Sequence, residues 1–286
     1  MRRGPTGSQR TLVAVYSLPT ESFTSLIWLC VHMLEAPRYK KPPVSEALID
    51  IRIDSLPSEK FHLLESLTSR LAAKYPNKKL RYKFEGGVQI EGTKVVASPV
   101  ASGVHGLWLE SEDQKGIMQL RLDGFTHNRM KPDPYEVWPG WESMREEARQ
   151  VWEIYAAALN LTQITRLAVR YINQIVIPGS TIELYDYFTA PPRIPPDLPF
   201  QDILDFSNSV TIKVPKYKAL AVVRHYPIQQ IYPGAIAVAL DIDVSRPGKV
   251  PLDSFPVWET LDQLRELKNT IFEASLLHRT KELFNK

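Results

Sequence analysis

Cysteine is almost missing from this chain: Cys30 is the single one. No intramolecular disulfide framework can form, and such usage fits a reducing compartment, so a cytoplasmic location is expected. Long apolar runs are missing as well. None reaches the roughly 18 residues that a membrane-crossing helix needs, and no membrane partner is expected. Histidines are few and scattered (His32, His62, His105, His127, His225, His278), with no HxH, HExxH or CxxC among them. That spacing offers a metal ion nothing to bind. The loops that cradle phosphates or present a serine nucleophile, GxxxxGK[ST], GxGxxG and GxSxG, do not occur, so no cofactor is expected and the reading leans away from an enzyme. Charge of one sign is also lacking. A net charge of +3 is too mild to argue for nucleic acid alone.

What is present is a core and a repeat. The 286 residues are 44% hydrophobic and 23% charged, ordinary values for a globular chain able to bury a sizeable core. The segment WESMREEARQVWEIYAAAL from Trp141 has a relative in WETLDQLRELKNTIFEASL from Trp258. Each follows an apolar strand ending in Leu-Asp, at Leu122-Asp123 and Leu240-Asp241, and each is reached across a Pro-rich loop of similar length. An offset of about 118 residues lays Ile49, Ile51 and Ile53 on Leu167, Val169 and Tyr171, Arg52 on Arg170, and Met118, Leu120 and Leu122 on Ile236, Val238 and Leu240. The pattern predicts an internally duplicated α+β fold: two units of strand, helix, three or four strands and helix, related by a pseudo-two-fold. Their antiparallel strands form a sheet with helices packed on one face.

Along the chain, residues 1–32 stand apart as a leader. Met33 could be the true start, with a flexible or partner-docking tail or an export signal (Arg2-Arg3) as alternatives. The first half covers 42–160 and the second 161–286, packed as one body. Val44–Ile53 alternates and reads as a half-buried strand. Ser58 is expected to cap a helix running to about Tyr75 with Phe61, Leu64, Leu67 and Leu71 inside. Strands are predicted near 80–85, 88–91, 104–110 and 116–123, with Gly86-Gly87 as a hairpin turn. In the second half they fall at 164–178, 210–214, 217–226 and 235–243, with short helices at 181–188 and 200–206 around a Pro-rich loop.

Strand parity places Glu46, Asp50, Arg52, Gln119, Arg121, Asp123, Arg166, Arg170 and Gln174 on the uncovered sheet face. Cross-strand ion pairs on a solvated face would explain such charges. Arg52 and Arg170, with Arg121 and Arg166, are the candidate binding residues, because paired guanidinium forks can clamp carboxylates or phosphates. His127, Asn128 and Arg129, read as a loop beside Asp123, are candidate catalytic residues for a hydrolase or nuclease. Asn173 is expected inside, in a hydrogen bond between the halves, and Lys268 on a solvated helix face. The tryptophans at 138, 141 and 258 are expected to anchor helix starts.

PPVSEALIDIRI, RYINQIVIP and LRELKNTIF together resemble a sporadically distributed family of uncharacterised prokaryotic proteins, over about Pro42 to Phe284. That resemblance implies a soluble cytoplasmic protein beginning near Met33, and brings no activity or catalytic residue. The expectation for function is a non-enzymatic binding protein that engages a protein partner or a nucleic acid through the open sheet face, with homodimerisation an option. The alternatives are the hydrolase or nuclease above and a small-molecule or anion sensor with a cavity between the halves.

Overall fold

Alternation dominates the architecture. In a computed structural model of the protein, which describes residues 39–285 apart from 86–87, 92–93, 98–100, 132–135, 201 and 230–232, nine strands join edge to edge in one antiparallel sheet. The leader, Met33 and the Gly86-Gly87 turn lie outside the described residues. The strands are β1 (Val44–Arg52), β2 (Asn77–Glu85), β3 (Val88–Glu91), β4 (Lys94–Ala97), β5 (Ala101–Glu110), β6 (Gly116–Arg121), β7 (Gly124–Met130), β8 (Gln163–Pro178), β9 (Asn208–Val214), β10 (Ala219–Pro227) and β11 (Ala235–Pro251). Their order across the sheet is β2-β5-β6-β7-β1-β8-β11-β10-β9, with β3 and β4 forming a separate ribbon.

The middle of the sheet is the pairing of β1 with β8. Ile49 faces Val169 and Ile51 faces Leu167, while Leu48 faces Arg170 and Arg52 faces Arg166. Successive side chains point to opposite faces, so the first group lies under helices and the second on the bare side. The covering helices are α1 (Phe61–Leu71), α2 (Trp141–Ala158), α3 (Val257–Ser275) and the short α4 (His278–Leu283). The spacing of α2 closes on the sheet as expected: Trp141, Met144, Ala148, Val151, Trp152 and Tyr155 are buried. Tyr155 also donates a 2.7 Å hydrogen bond to the Arg121 carbonyl, tying α2 to β6. No helix of the described residues is long and apolar enough to cross a membrane.

Several expectations need correction. Ser58 does not cap: it begins a 3-10 turn, Ser58–Lys60, that leads into α1, and Leu64, Leu67 and Leu71 are the buried stripe. The expected helix at 181–188 is only the 3-10 turn Leu184–Asp186, and none forms among the described residues of 200–206, where Phe200, Ile203 and Leu204 are exposed and leave a helix no buried stripe. β11 continues through Ser245-Arg246-Pro247-Gly248-Lys249, which the sequence suggests as a loop; a register shift between Pro247 and Val250 absorbs the proline and glycine. β11 sits one strand from β8, whereas β6 sits two strands from β1. The 118-residue offset therefore matches sequences that occupy different places, and β7 is the strand in the position of β11. Asn173 is buried and donates to the Leu240 carbonyl at 3.0 Å, within the second half rather than between the halves.

Gly124, the first residue of β7, lies where one backbone passes close to another. Its φ is +149°, and a Cβ there would lie 2.5 Å from the Ile51 carbonyl oxygen and 3.0 Å from Arg52 Cα. Backbone, unlike a flexible side chain, cannot step aside. Gly124→Ala is expected to lower stability by about 2–4 kcal/mol, measured by urea unfolding, whereas Gly103→Ala, which meets nothing within 4 Å, should change it little.

Candidate functional site

The bare sheet face carries a continuous set of ion pairs. Arg52 and Arg166 are directly opposed across β1 and β8, an arrangement that would repel. Asp50 resolves it: it accepts from Arg52 Nε at 3.0 Å, Arg166 Nη1 at 2.8 Å, Arg121 Nη2 at 3.0 Å and Thr126 Oγ1 at 2.6 Å. Burial alone would raise the Asp50 carboxyl, but Arg52, Arg121, the Thr126 hydroxyl and Arg166 outweigh it and hold the group below the usual carboxylate range. Arg166 reaches on to Asp243 at 3.1 Å. Burial dominates at Asp243 and raises its pKa despite Arg166 and Arg170.

The same chemistry repeats to either side. Arg170 grips Asp241 with Nε at 2.8 Å and Nη2 at 2.7 Å, a bidentate fork, and Arg224 adds a 3.3 Å contact. Asp123, at the β6–β7 turn, meets Arg52 at 3.0 Å, Arg121 at 3.1 Å and His105 at 3.0 Å. Beside them two amides link the charged groups: Asn128 donates to Glu46 at 2.6 Å and accepts from Gln119 at 2.8 Å, and Gln119 accepts from Arg81. Arg52, Arg121, Arg166 and Arg170 thus share this face, as parity indicates, and an aspartate engages each one. Positive and negative charge alternate instead of forming a positive strip.

The catalytic set does not assemble. His127-Asn128-Arg129 is not a loop but the body of β7. Alternation sends Asn128 to the bare face, where it joins Gln119, and His127 to the helix face, where it is fully buried. His127 Nε2 lies 3.8 Å from Glu147 of α2. Asp123 belongs to the bare-face network, with the sheet between it and His127. Glu147 is held instead by Tyr75, whose hydroxyl donates at 2.5 Å, and by Lys74 at 3.0 Å. These contacts fasten the end of α1 to α2.

Lys268 corrects another expectation. It is buried rather than solvated, 6% exposed, with Nζ 3.9 Å from the centre of the Tyr171 ring and 5.8 Å from that of Phe272. Burial, reinforced by Arg265, lowers its pKa to about 7. The signal was in the spacing, since Leu261, Leu264, Lys268 and Phe272 form one helical stripe. Among the described residues, no group of three or more His, Cys, Asp or Glu could hold a metal ion. A shallow cleft lined by Ile164, Arg166, Leu167, Arg246, Gly248, Val250 and Phe255 lies within the second half and does not span the two.

Two buried bases give opposite ends of one pH curve. Burial depresses the His127 pKa from 6.5 to about 4. Between those values the unfolded chain binds a proton that the folded chain refuses, so His127 favours folding above pH 6.5 and that contribution is lost as pH falls toward 4. Urea unfolding should show a slope near 1.4 kcal/mol per pH unit from this residue, absent in His127→Leu. At Lys268 the folded protein carries the cost of a buried charge below pH 7, and the cost fades as pH rises from 7 to 10.5. Lys268→Met should stabilise by about 1–3 kcal/mol at pH 6, with a smaller gain at pH 10.

No family model matches this chain, and neither a curated protein nor a solved structure matches it.

Proposed function

We propose that the protein is a non-enzymatic binding module that holds a protein partner against its open sheet face, and that its body consists of two related halves joined at β1 and β8. The resemblance to uncharacterised prokaryotic proteins belongs to this reading. One contact between the helices supports the pseudo-two-fold. Trp141 opens α2 and donates to Asp262 of α3 at 2.7 Å. Trp258, at the start of α3, lies under the guanidinium of Arg145 of α2, 5.9 Å from its ring centre, and Arg145 pairs with Asp262 at 3.1 Å. Trp141 and Trp258, and likewise Arg145 and Asp262, differ by one common offset, so each helix presents the same two positions to the other. Such reciprocity is the mark of an isologous contact. The strands agree: β7 and β11 flank the central pair, and each precedes its tryptophan helix.

The observation that carries the binding reading is the engagement of the arginines by aspartates. Arg52, Arg121, Arg166, Arg170 and Arg224 are all held in place by Asp50, Asp123, Asp241 or Asp243. A nucleic acid gains affinity by neutralising phosphates with free cations, and would have to pull these guanidiniums from their carboxylates. A protein surface of mixed charge needs only to match the alternation, and fixed arginines lose little freedom on binding. Arginine is also the charged residue that interfaces favour over lysine and glutamate.

The test is affinity capture from lysate of the source organism with quantitation against Arg52→Ala/Arg170→Ala, the fold being checked by thermal melting. A partner that loses at least about tenfold in recovery supports the face as the site. A partner retained equally by the double variant places the site elsewhere, and salt-sensitive binding of a DNA or RNA duplex at physiological ionic strength overturns the preference for protein.

A further inference from the structure

The two edges of the nine-stranded sheet differ in a way the open face does not explain. An edge strand presents unpaired backbone donors and acceptors to any passing chain, and proteins usually guard it with lysine and charge. β2 is guarded in that way, by Lys78, Lys79, Arg81 and Lys83. β9, reading NSVTIKV, has Lys213 alone. Its middle residues are exposed, with Val210 at 49% and Ile212 at 41% on the helix side. It pairs only with β10, and no other backbone hydrogen bond among the described residues reaches Ser209–Lys213.

The two ends of β9 carry opposite charge. The segment leading into it exposes Asp202 and Asp205, six and three residues before the strand's first residue, Asn208. The strand's other end carries Lys213, Lys216 and Lys218, all exposed. None of these five side chains makes an ion pair among the described residues. Seven residues of extended chain separate the acidic from the basic end by about 20 Å.

We propose that β9 pairs antiparallel with β9 of a second copy of this chain, continuing the sheet across a two-fold axis. Antiparallel pairing brings the acidic end of one strand to the basic end of the other, twice over; parallel pairing would set like charges together. With the axis at Thr211, Val210 of each copy falls opposite Ile212 of the other on the helix side, and both leave water. Lys213 falls opposite Ser209, without repulsion. The contact uses the same patch on both copies and closes at two. Pairing through β2 would instead stack its four cations against one another or against Lys213. This proposal is independent of the open-face reading, since the edge and the face share no residue.

Sedimentation velocity of the full chain between about 1 and 100 µM tests it. The wild type is expected to form dimers, and Ile212→Lys, at a half-exposed position, should give a folded monomer with an unchanged far-ultraviolet circular dichroism spectrum. Asp202→Lys/Asp205→Lys and Lys213→Glu/Lys216→Glu should each weaken association at least about tenfold, and all four changes in one chain should restore it. A wild type that stays monomeric at about 100 µM, a dimer indifferent to these changes, or growth beyond the dimer would each overturn the proposal.

Discussion

Antiparallel pairing of β1 with β8 is the constraint on which the rest of the molecule depends. It fixes which face of both strands is covered, and through the ladders on either side it fixes the faces of seven further strands. A slip of one residue would turn Ile49 and Ile51 to water and Asp50 under the helices. The register is held from both sides. Ile49, Ile51, Leu167 and Val169 are buried under the helix layer, and Asp50 accepts from three arginines and a threonine on the other face. Hydrophobic burial supplies most of the stabilisation, while the ion pairs make the alternative registers costly, because a charged group left buried without its partner costs several kcal/mol.

The buried polar groups follow from the same frame. His127 is carried inside because it shares parity with Phe125 in β7, and Lys268 because it shares a helical stripe with Leu264 and Phe272. Each meets a group that softens the burial: Glu147 sits near the first, and the face of the Tyr171 ring lies against the second. They are polar positions in a core whose stability responds to pH.

The open face and the bare edge offer different kinds of contact. On the face, guanidinium and carboxylate are already matched in ion pairs. At β9 the backbone itself is unmatched, and charge only chooses the direction of pairing. The first lies at the centre of the sheet and the second at its rim.

Much of this was legible in the sequence, and the boundary has a physical origin. Period-two alternation located β1, β8, β9 and β10 within a few residues and put Arg52, Arg121, Arg166 and Arg170 on one face, because side-chain direction in a strand is a local property. The stripes of α1 and α2 were legible for the same reason. The sequence could not say that His127, Asn128 and Arg129 lie in a strand, because the turn at Gly124 that starts it is set by contact with Ile51 and Arg52, distant in the chain. It could not show that β11 runs past its proline, that an aspartate holds each arginine, or that β9 ends the sheet. Those depend on which strand lies beside which. Local chemistry determined the faces, and only the folded arrangement of neighbours decided what each face and edge has left to offer.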